Sequence, residues 1–207
     1  MSTSGAPDIE QAISILQRGG LVAFPTDTLY GLGAHPFIES AVRRLYEAKG
    51  RPDSKPVPLL LSSPDDLTLV SDQTGGIALA LASAFWPGAL TLVVRCRPDI
   101  PGLINGWGAT VAVRVPDHPV PRQICAALRA PITGTSANRA GGPNPVTAQD
   151  VASQLDGRVD LVIDRGPCPG GLPSTIIDVS GDSPTLLREG AVSRNAIEEA
   201  CGLPVAS

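Results

Sequence analysis

Two short stretches of the chain carry side chains suited to phosphate chemistry. "KGRPDSK" holds Lys49, Arg51 and Lys55, and these two lysines are the only ones in the chain, beside fourteen arginines. Further along, "ITGTSANRAGGPNP" places Ser136 and Asn138 two positions apart, ahead of a loop rich in glycine and proline. Three cations on a proline-stiffened turn predict an anion site, in which lysine acts as a point charge and arginine as a planar fork.

Each stretch also has a purely structural interpretation. Lys49 can lie in the last turn of a helix, where a cation offsets the helix dipole and Gly50 ends the helix. Ser136 and Asn138 follow a predicted strand, so an extended backbone would point both side chains to one side. The same residues are also common in turns that bind the loop's own backbone. The residues alone leave both interpretations open.

Other common chemical patterns are missing from the sequence. There is no Walker A motif, and "GLGAHP" supplies Gly31 and Gly33 without the third glycine of a dinucleotide fingerprint. "GTSAN" lacks the final glycine of a nucleophile elbow, which disfavours a serine hydrolase. The four cysteines form no C-x-x-C pair and the two histidines are far apart, so no protein-held metal site is predicted. Reduced thiols favour a cytoplasmic location.

Composition limits the classes of protein that the chain can form. Its 207 residues suit one domain, and 43% apolar with 17% charged residues argues against disorder. The net charge of -4 means that nucleic acid binding would need a local basic patch. We find neither a secretion signal nor an apolar run long enough to span a membrane, so neither targeting is predicted.

The order of predicted elements favours a single α/β domain. Helices are expected from a cap at Asp8, from a cap at Ser40, in two pieces over 64–85, over 119–128, from Thr147 and from Ser193. The expected strands, about eight in all, are "LVAF", "VPLLL", "ALTLVV", "TVAVRV", "ITGTS", "VDLVID", "STIIDVS" and "TLLR". Some strands follow one another without a helix between them, so we predict one mixed parallel and antiparallel sheet flanked by helices.

Seven blocks of sequence together resemble one family. "GGLVAFPTDTLYGLG", "KGRPDSKPVPLLL", "FWPGALTLVV", "TVAVRVPDHP", "ITGTSANRAGGPNP", "PSTIID" and "LLREG" stand in the order found in the YrdC/Sua5 family of L-threonylcarbamoyladenylate synthases. The K-x-R and S-x-N signatures of that family match in full. The resemblance implies a YrdC-like domain over residues 8–200, with 1–7 and 201–207 as termini, a twisted mixed sheet and an open concave cavity. It corresponds to the short, single-domain form of the family.

The resemblance also implies an activity. Family members make threonylcarbamoyl-AMP from L-threonine, bicarbonate and ATP, and release pyrophosphate. The product is the activated intermediate for the t6A modification of tRNA. Mg²⁺ is the expected cofactor, held by the phosphates of ATP more than by a protein cage. The expected partners are therefore small substrates, with tRNA or a threonylcarbamoyl-transfer complex as recipient, and no membrane.

Roles for individual residues follow from the matched motifs. The four signature residues are expected to carry catalysis: Lys49, Arg51, Ser136 and Asn138. The expected ATP contacts are Arg51, Lys55, Thr110, Ser136, Asn144 and Arg188. The expected threonine contacts are Thr28, Arg114 and Ser174. Arg114 lies in an otherwise apolar strand, where either a substrate carboxylate or a protein carboxylate could compensate its charge.

Two positions depart from the family pattern, and the loop after Asn138 adds an expectation. Many relatives have a histidine where this chain has Leu60 or Leu61, so threonine preference is expected to be weaker or met by another group. Lys55 replaces the asparagine of some relatives and should attract phosphate more strongly. The Gly- and Pro-rich loop "RAGGPNP" suggests a mobile cover over the nucleotide.

Three rival functions come from other classes. A non-catalytic module that binds double-stranded RNA or tRNA is weakened by the acidic net charge and the few aromatic residues. A carbamoyl-transfer enzyme of hydrogenase maturation would carry further segments that this chain lacks. A role in ribosome maturation is neither supported nor excluded by the residues.

Overall fold

The described residues form ten short strands, seven α-helices and one 3-10 helix. The computed structural model describes residues 6–73, 75–169 and 172–206. Its helices are α1 (Ala6–Gln17), α2 (Glu39–Lys49), a 3-10 helix (Pro64–Leu69), α3 (Gly76–Phe85), α4 (Gly102–Asn105), α5 (Pro119–Leu128), α6 (Ala148–Leu155) and α7 (Arg194–Cys201). Its strands are β1 (Val22–Phe24), β2 (Gly31–Gly33), β3 (Leu59–Leu60), β4 (Leu90–Arg95), β5 (Thr110–Arg114), β6 (Ile132–Thr133), β7 (Thr135–Ser136), β8 (Leu161–Val162), β9 (Thr175–Asp178) and β10 (Thr185–Arg188). None of the helices in these ranges is long and apolar enough to cross a bilayer.

The smaller sheet has four strands in the order β7-β2-β1-β8. β1 pairs antiparallel with β2, which brings Phe24 opposite Gly31, and parallel with β8. A Cβ atom added at Gly31 would lie 2.9 Å from the Phe24 ring, and one at Gly33 would lie 2.6 Å from it. The two glycines of "GLGAHP" therefore make room for this ring, which is a packing role and not that of a dinucleotide loop.

The larger sheet has six strands in the order β10-β9-β4-β5-β3-β6. β4 runs antiparallel to β5 and parallel to β9, while β3 runs parallel to β5. The last pairing sets Leu60 directly beside Arg114 on the neighbouring strand. Because side chains alternate along a strand, this register decides which residues of the sheet share a face.

Alternation along the strands divides the core into two clusters. Val22 and Phe24 pack with Leu16 of α1 and Ile124 of α5, whereas Ala23 joins the larger cluster on the other face of β1. All five side chains are fully buried. Burying a large apolar side chain contributes about 1.5–3 kcal/mol, so these contacts fix α1 and α5 against β1.

The start of the loop after α2 is set by the backbone of Gly50, and the loop is held by the side chain of Tyr46. Gly50 adopts a left-handed conformation with φ of 60° and ends the helix, as predicted. The Tyr46 hydroxyl oxygen lies 2.7 Å from the carbonyl oxygen of Lys55 and 2.7 Å from that of Leu103. The "KGRPDSK" stretch is thereby tied to the helix that precedes it.

The prediction of a single sheet is wrong, because the "ITGTS" segment divides between two sheets. Ile132 and Thr133 pair with β3 in the larger sheet, and Thr135 and Ser136 pair with β2 in the smaller one. The chain crosses at Gly134, where an added Cβ would lie 2.3 Å from the Leu60 side chain. Only glycine fits this crossing without displacing Leu60.

Two predicted helix caps are also wrong, while two predicted helix starts are confirmed. Asp8 lies inside α1, and its carboxylate accepts a bond from Arg165 at 3.0 Å instead of capping the helix. The residue before α2 is Ile38, in an extended conformation, and not Ser40. α6 and α7 begin directly after Thr147 and Ser193, close to the predicted starts, and these two residues cap them. The short elements β2 and α4 were not predicted, because three or four residues around glycine give no periodic pattern.

Candidate active site

A cavity of about 410 Å³ is lined by residues of both sheets. Gly31, Thr135 and Ser136 come from the smaller sheet, and Thr91 and Arg114 are among the residues from the larger one. The volume falls within the ~300–1,000 Å³ that is usual for small-molecule sites. The open concave shape expected from the resemblance stays a prediction.

Ser136 and Asn138 hold each other at the start of the Gly- and Pro-rich loop. The Ser136 hydroxyl donates to Asn138 Oδ1 at 2.7 Å. The Asn138 amide Nδ2 donates to the carbonyl oxygens of Gly142 at 2.9 Å and Pro143 at 3.2 Å. Asn138 is buried whereas Ser136 is half-buried and lines the cavity. The turn interpretation is therefore correct for Asn138.

Lys49 is buried at the end of α2, with only 3% of its surface exposed. Its ammonium donates to the backbone carbonyl of Ser136, to that of Asn138 at 2.8 Å and to Asn138 Oδ1 at 3.3 Å. Burial, and then repulsion from Arg51, lower the pKa of Lys49 from its usual 10.5 to about 8. A buried ammonium without a carboxylate partner is costly, so these three acceptors matter for its placement.

Arg51 lines the cavity and leaves one of its donors unused. Its Nη2 donates to the carbonyl oxygen of Pro56 at 2.9 Å. Its Nε is buried and has no hydrogen-bond partner within the part of the chain that the structure describes. An unsatisfied donor of a charged group is expensive to bury.

Arg114 is buried and already paired. Its Nη2 forms an ion pair with Asp27 Oδ1, its Nη1 donates to Thr28 Oγ1 at 3.0 Å, and its Nε donates to the carbonyl oxygen of Gly88 at 2.7 Å. Burial lowers the pKa of Arg114, and Asp27 opposes that shift. The carboxylate that compensates Arg114 is thus supplied by the protein, and Arg114 still lines the cavity.

Ser174 and Arg188 form a further polar group on the wall. Ser174 Oγ lies 2.8 Å from Thr91 Oγ1. Arg188 Nη2 donates to the carbonyl oxygen of Ser174 at 2.7 Å and to its Oγ at 3.3 Å. Burial, and then repulsion from Arg114, lower the pKa of Arg188. Arg188, expected among the ATP contacts, therefore lies against Ser174 of the expected threonine set.

The structure gathers most of the predicted site residues around this one cavity. Those that line it are Thr28, Arg51, Arg114, Ser136, Asn144, Ser174 and Arg188. Four others do not line it: Lys49, Lys55, Thr110 and Asn138. Lys49 and Asn138 are buried behind the loop, and Lys55 is exposed. Of the three cations expected to bind a phosphate together, only Arg51 lines the cavity. The Lys49 ammonium is buried and the Lys55 ammonium is exposed.

The Gly- and Pro-rich loop makes several hydrogen bonds to neighbouring elements, and the mobile cover expected from its composition stays a prediction. Besides its bonds with Asn138, the backbone N–H of Ala140 donates to the Lys49 carbonyl at 2.8 Å, and that of Tyr30 donates to the Pro145 carbonyl at 2.8 Å. Gln154 Nε2 also donates to the Pro143 carbonyl at 3.1 Å. These bonds fix both ends of the loop against neighbouring elements.

Asp27 is the main site residue that sequence reasoning missed. It accepts from Arg114 and also from the backbone N–H of Asp117 at 3.1 Å. A signal was present, since Asp27 adjoins Thr28 in the block "PTDTLYG" and is the one carboxylate in it. The expectation that Leu60 replaces a polar contact has a structural counterpart, because its buried side chain lines the cavity beside Arg114.

Comparisons with known proteins agree with this architecture. The Sua5/YciO/YrdC family profile, which carries the description telomere recombination, matches residues 14–190. Threonylcarbamoyl-AMP synthase of Bacillus subtilis is 40% identical over 95% of this chain and 57% of its own length. The enzyme of that name from Pyrococcus abyssi is 40% identical over 94% of this chain and 57% of its own. A putative threonylcarbamoyl-AMP synthase of Mycobacterium tuberculosis is 40% identical, with 96% and 91% covered. The chain spans little more than half the length of the first two relatives.

Solved structures give the same result for the fold. Sua5 of Pyrococcus abyssi, crystallised in complex with L-threonine, superposes with a TM-score of 0.91 at 39% identity over 95% of this chain and 58% of that one. Escherichia coli YciO superposes with a TM-score of 0.82 at 27% identity, over 91% and 92%. These similarities confirm the mixed α/β single domain and the resemblance read from the seven blocks. This chain belongs to the Sua5/YciO/YrdC family.

Proposed function

We propose that this chain synthesises L-threonylcarbamoyl-AMP from L-threonine, bicarbonate and ATP, with release of pyrophosphate, for the t6A modification of tRNA. The names of relatives at 40% identity support this activity, and so does the threonine complex of the Pyrococcus abyssi protein. The active domain is taken as residues 8–200.

One observation on this chain carries the proposal. Three arginines, Arg51, Arg114 and Arg188, line a single cavity. Of these three, Arg114 alone forms an ion pair with a carboxylate of the described residues. Arg51 and Arg188 therefore give the cavity an uncompensated positive charge. A nucleoside triphosphate is an anion that this positive charge attracts, and the cavity has room for a small molecule.

Each polar residue that lines the cavity is assigned a role in binding ATP or threonine. Arg51 and Arg188 donate to phosphate oxygens, and Ser136 and Asn144 add neutral hydrogen bonds at the same wall. Arg114 and Thr28 orient the threonine carboxylate, with Ser174 beside them. The arrangement favours transfer at the α-phosphate by holding charge in place and aligning the nucleophile, since phosphoryl-type transfer needs little covalent help from protein.

The bonds made and broken balance without any further reactant. The amine of threonine attacks bicarbonate to give a carbamate, and water leaves. A carbamate oxygen then attacks the α-phosphorus of ATP, the bond between the α- and β-phosphates breaks, and pyrophosphate departs with the electron pair. Neither step requires a nucleophilic side chain.

Mg²⁺ would enter as part of the substrate, bound to ATP. The described residues offer no group of three or more His, Cys, Asp or Glu that could hold a metal ion. Mg²⁺ commonly binds through substrate phosphates and water, and there it would neutralise charge on the departing pyrophosphate.

The test is incubation with ATP, Mg²⁺, bicarbonate and single amino acids, followed by mass spectrometry for a new adenylate. The expected result is a threonylcarbamoyl adenylate that requires bicarbonate and forms with threonine ahead of other amino acids. An adenylate that forms without bicarbonate, or none at all, contradicts the proposal. Leu60 bears on the result, because an apolar residue beside Arg114 leaves the threonine hydroxyl without one polar partner.

The alternative of a non-catalytic RNA-binding module is tested by ionic strength. RNA binding carried by phosphate contacts weakens steeply as salt rises, by an amount set by the number of phosphates neutralised. Threonine-dependent consumption of ATP would not follow that slope. Retention of double-stranded RNA or tRNA without any turnover would favour the alternative.

A further inference from the structure

We propose that Lys49 and Asn138 are positioning residues that brace the loop from Ser136 to Asn144 and do not bind phosphate themselves. The proposal rests on the proposed function only where it gives the braced loop a part in ligand binding. The brace itself is a property of the free protein and is tested there.

The donors of the Lys49 ammonium are all used within the loop. A lysine ammonium has three N–H groups. Those of Lys49 face three acceptors of the loop, namely the carbonyl oxygens of Ser136 and Asn138 and Asn138 Oδ1. No donor remains for a ligand in the cavity. The 3% exposure of Lys49 and its place outside the cavity wall agree with this count.

The brace continues through the side chain of Asn138. Its Oδ1 accepts from Lys49 and from the Ser136 hydroxyl, while its Nδ2 donates to the carbonyl oxygens of Gly142 and Pro143. One buried amide therefore joins the helix end, the strand end and the far half of the loop. Such a network acts as a unit, because each bond orients the group that makes the next.

The braced segment places two polar side chains at the cavity. Ser136 and Asn144 stand at the two ends of the braced segment, and both line the cavity. Asn144 is exposed and adjoins Pro143, whose carbonyl is held by Asn138 and by Gln154. Without the brace the loop would keep its sequence and lose its fixed geometry, so a ligand would have to order it.

Limited trypsin digestion of the ligand-free protein tests the brace directly. Arg139 is exposed within the loop and gives trypsin a cleavage site there. Lys49→Met keeps the length of the side chain and removes its donors. We expect cleavage at Arg139, followed by mass spectrometry, to accelerate about tenfold or more, since buried carbonyls lose their partner and the loop opens more often.

Two controls separate a local effect from a global one. Lys55→Met removes the other lysine, which is exposed, and should leave cleavage at Arg139 within about twofold of wild type, as is usual for surface substitutions. Cleavage at Arg122, inside α5, reports global unfolding and should accelerate clearly less than cleavage at Arg139 in Lys49→Met at the same pH. Equal acceleration at Arg122 and Arg139 would overturn the proposal, because Lys49 would then stabilise the fold as a whole.

A second variant keeps the test decisive if Lys49→Met does not fold. Asn138→Asp retains the acceptor that faces Lys49 and removes the amide donor to Gly142 and Pro143. It should accelerate cleavage at Arg139 as well, and the double variant should add little to the larger single effect, since both act through one loop. Wild-type cleavage at Arg139 in both variants overturns the brace.

Kinetics then distinguish positioning from direct contact once turnover is established. Positioning predicts a higher KM for ATP in Lys49→Met, with an unchanged KM for threonine and partial retention of kcat. Complete loss of ATP binding together with wild-type cleavage at Arg139 would assign Lys49 to the phosphates instead. The digestion result stands even for a protein that makes no adenylate, so failure of the brace and failure of the proposed function are distinguishable.

Discussion

Arg114 and Arg51 both line the cavity, but their charges are compensated differently. On the wall from the larger sheet, Arg114 is neutralised inside the protein by Asp27 and is further held by Thr28. Beside the loop, Arg51 has no carboxylate partner among the described residues, and its buried Nε has no hydrogen-bond partner among them. Arg114 is thus satisfied by the fold, whereas Arg51 is left for a ligand.

This difference separates stability from binding. A cation whose partner is built into the protein contributes to the integrity of the fold, and removing it leaves a carboxylate without its counter-charge. A cation without a partner contributes a positive potential that an anion relieves. We therefore expect substitution of Arg114 to act mainly on folding and substitution of Arg51 to act mainly on ATP. A substrate carboxylate at Arg114 would have to share the guanidinium with Asp27.

The largest effect is expected for Arg114→Leu. Breaking a buried ion pair by removing one partner costs about 3–5 kcal/mol, and Asp27 is only 15% exposed. Urea unfolding measures the loss. Arg43→Leu, which breaks a surface pair with Glu39, should cost less than about 1 kcal/mol. A double variant that also replaces Asp27 by leucine should recover part of the stability, and a cost at Arg114 no larger than at Arg43 would contradict the comparison.

The next effect is a pH dependence that comes from Lys49. Its pKa is about 8 in the folded protein and 10.5 when unperturbed, so between these values the unfolded chain binds more protons than the folded one. The unfolding free energy therefore rises with pH across this window, by up to about 3 kcal/mol. The measurement is the difference between wild type and Lys49→Met at each pH, which cancels other titrating groups. A difference that stays flat from pH 8 to 10.5 would show that Lys49 titrates normally.

Arg51→Met should weaken ATP binding with little effect on the fold. A hydrogen bond to a charged group contributes about 1.5–3 kcal/mol, which corresponds to roughly a 10- to 150-fold loss of affinity. Calorimetric titration with the Mg²⁺ complex of ATP measures it. Lys55→Met, at an exposed position where solvent screens the charge, should lose less affinity than Arg51→Met. The reverse order would place the phosphates outside the cavity.

The smallest effect is expected for Ser174→Ala. This substitution removes the contact between Ser174 Oγ and Thr91 Oγ1 and the longer bond from Arg188, but Arg188 keeps the Ser174 carbonyl as its acceptor. A loss of about 1 kcal/mol in urea unfolding is expected, as for a typical hydrogen bond. A loss as large as that of Arg114→Leu would mean that Ser174 belongs to the stability network of that wall.

Much of the fold was predictable because its elements have clear periodic or capping signals. The helix that ends at Gly50, the helix capped by Thr147 and the strands around Val93 and Val113 follow from local sequence. The division into two sheets was not predictable, because it depends on one crossing at Gly134 that is set by packing against Leu60. A tertiary contact of that kind leaves no pattern in the neighbouring residues.

The candidate site shows the same limit at the level of single side chains. Motif positions placed Arg51, Ser136 and Arg114 around one cavity, as expected. They did not show that Lys49 turns away from it, because the direction of a lysine at a helix end depends on which loop packs there. Nor did they identify Asp27 as the partner of Arg114, since the two residues lie on segments distant in sequence.

A crystal structure with threonine and a non-hydrolysable ATP analogue tests the central claim most directly. The claim predicts a phosphate oxygen within about 3 Å of the Arg51 guanidinium, the usual hydrogen-bond distance, with the Asp27 pair of Arg114 still formed. A triphosphate seated against Arg114 in place of Asp27, or bound outside the cavity with Arg51 Nε still unsatisfied, would contradict it.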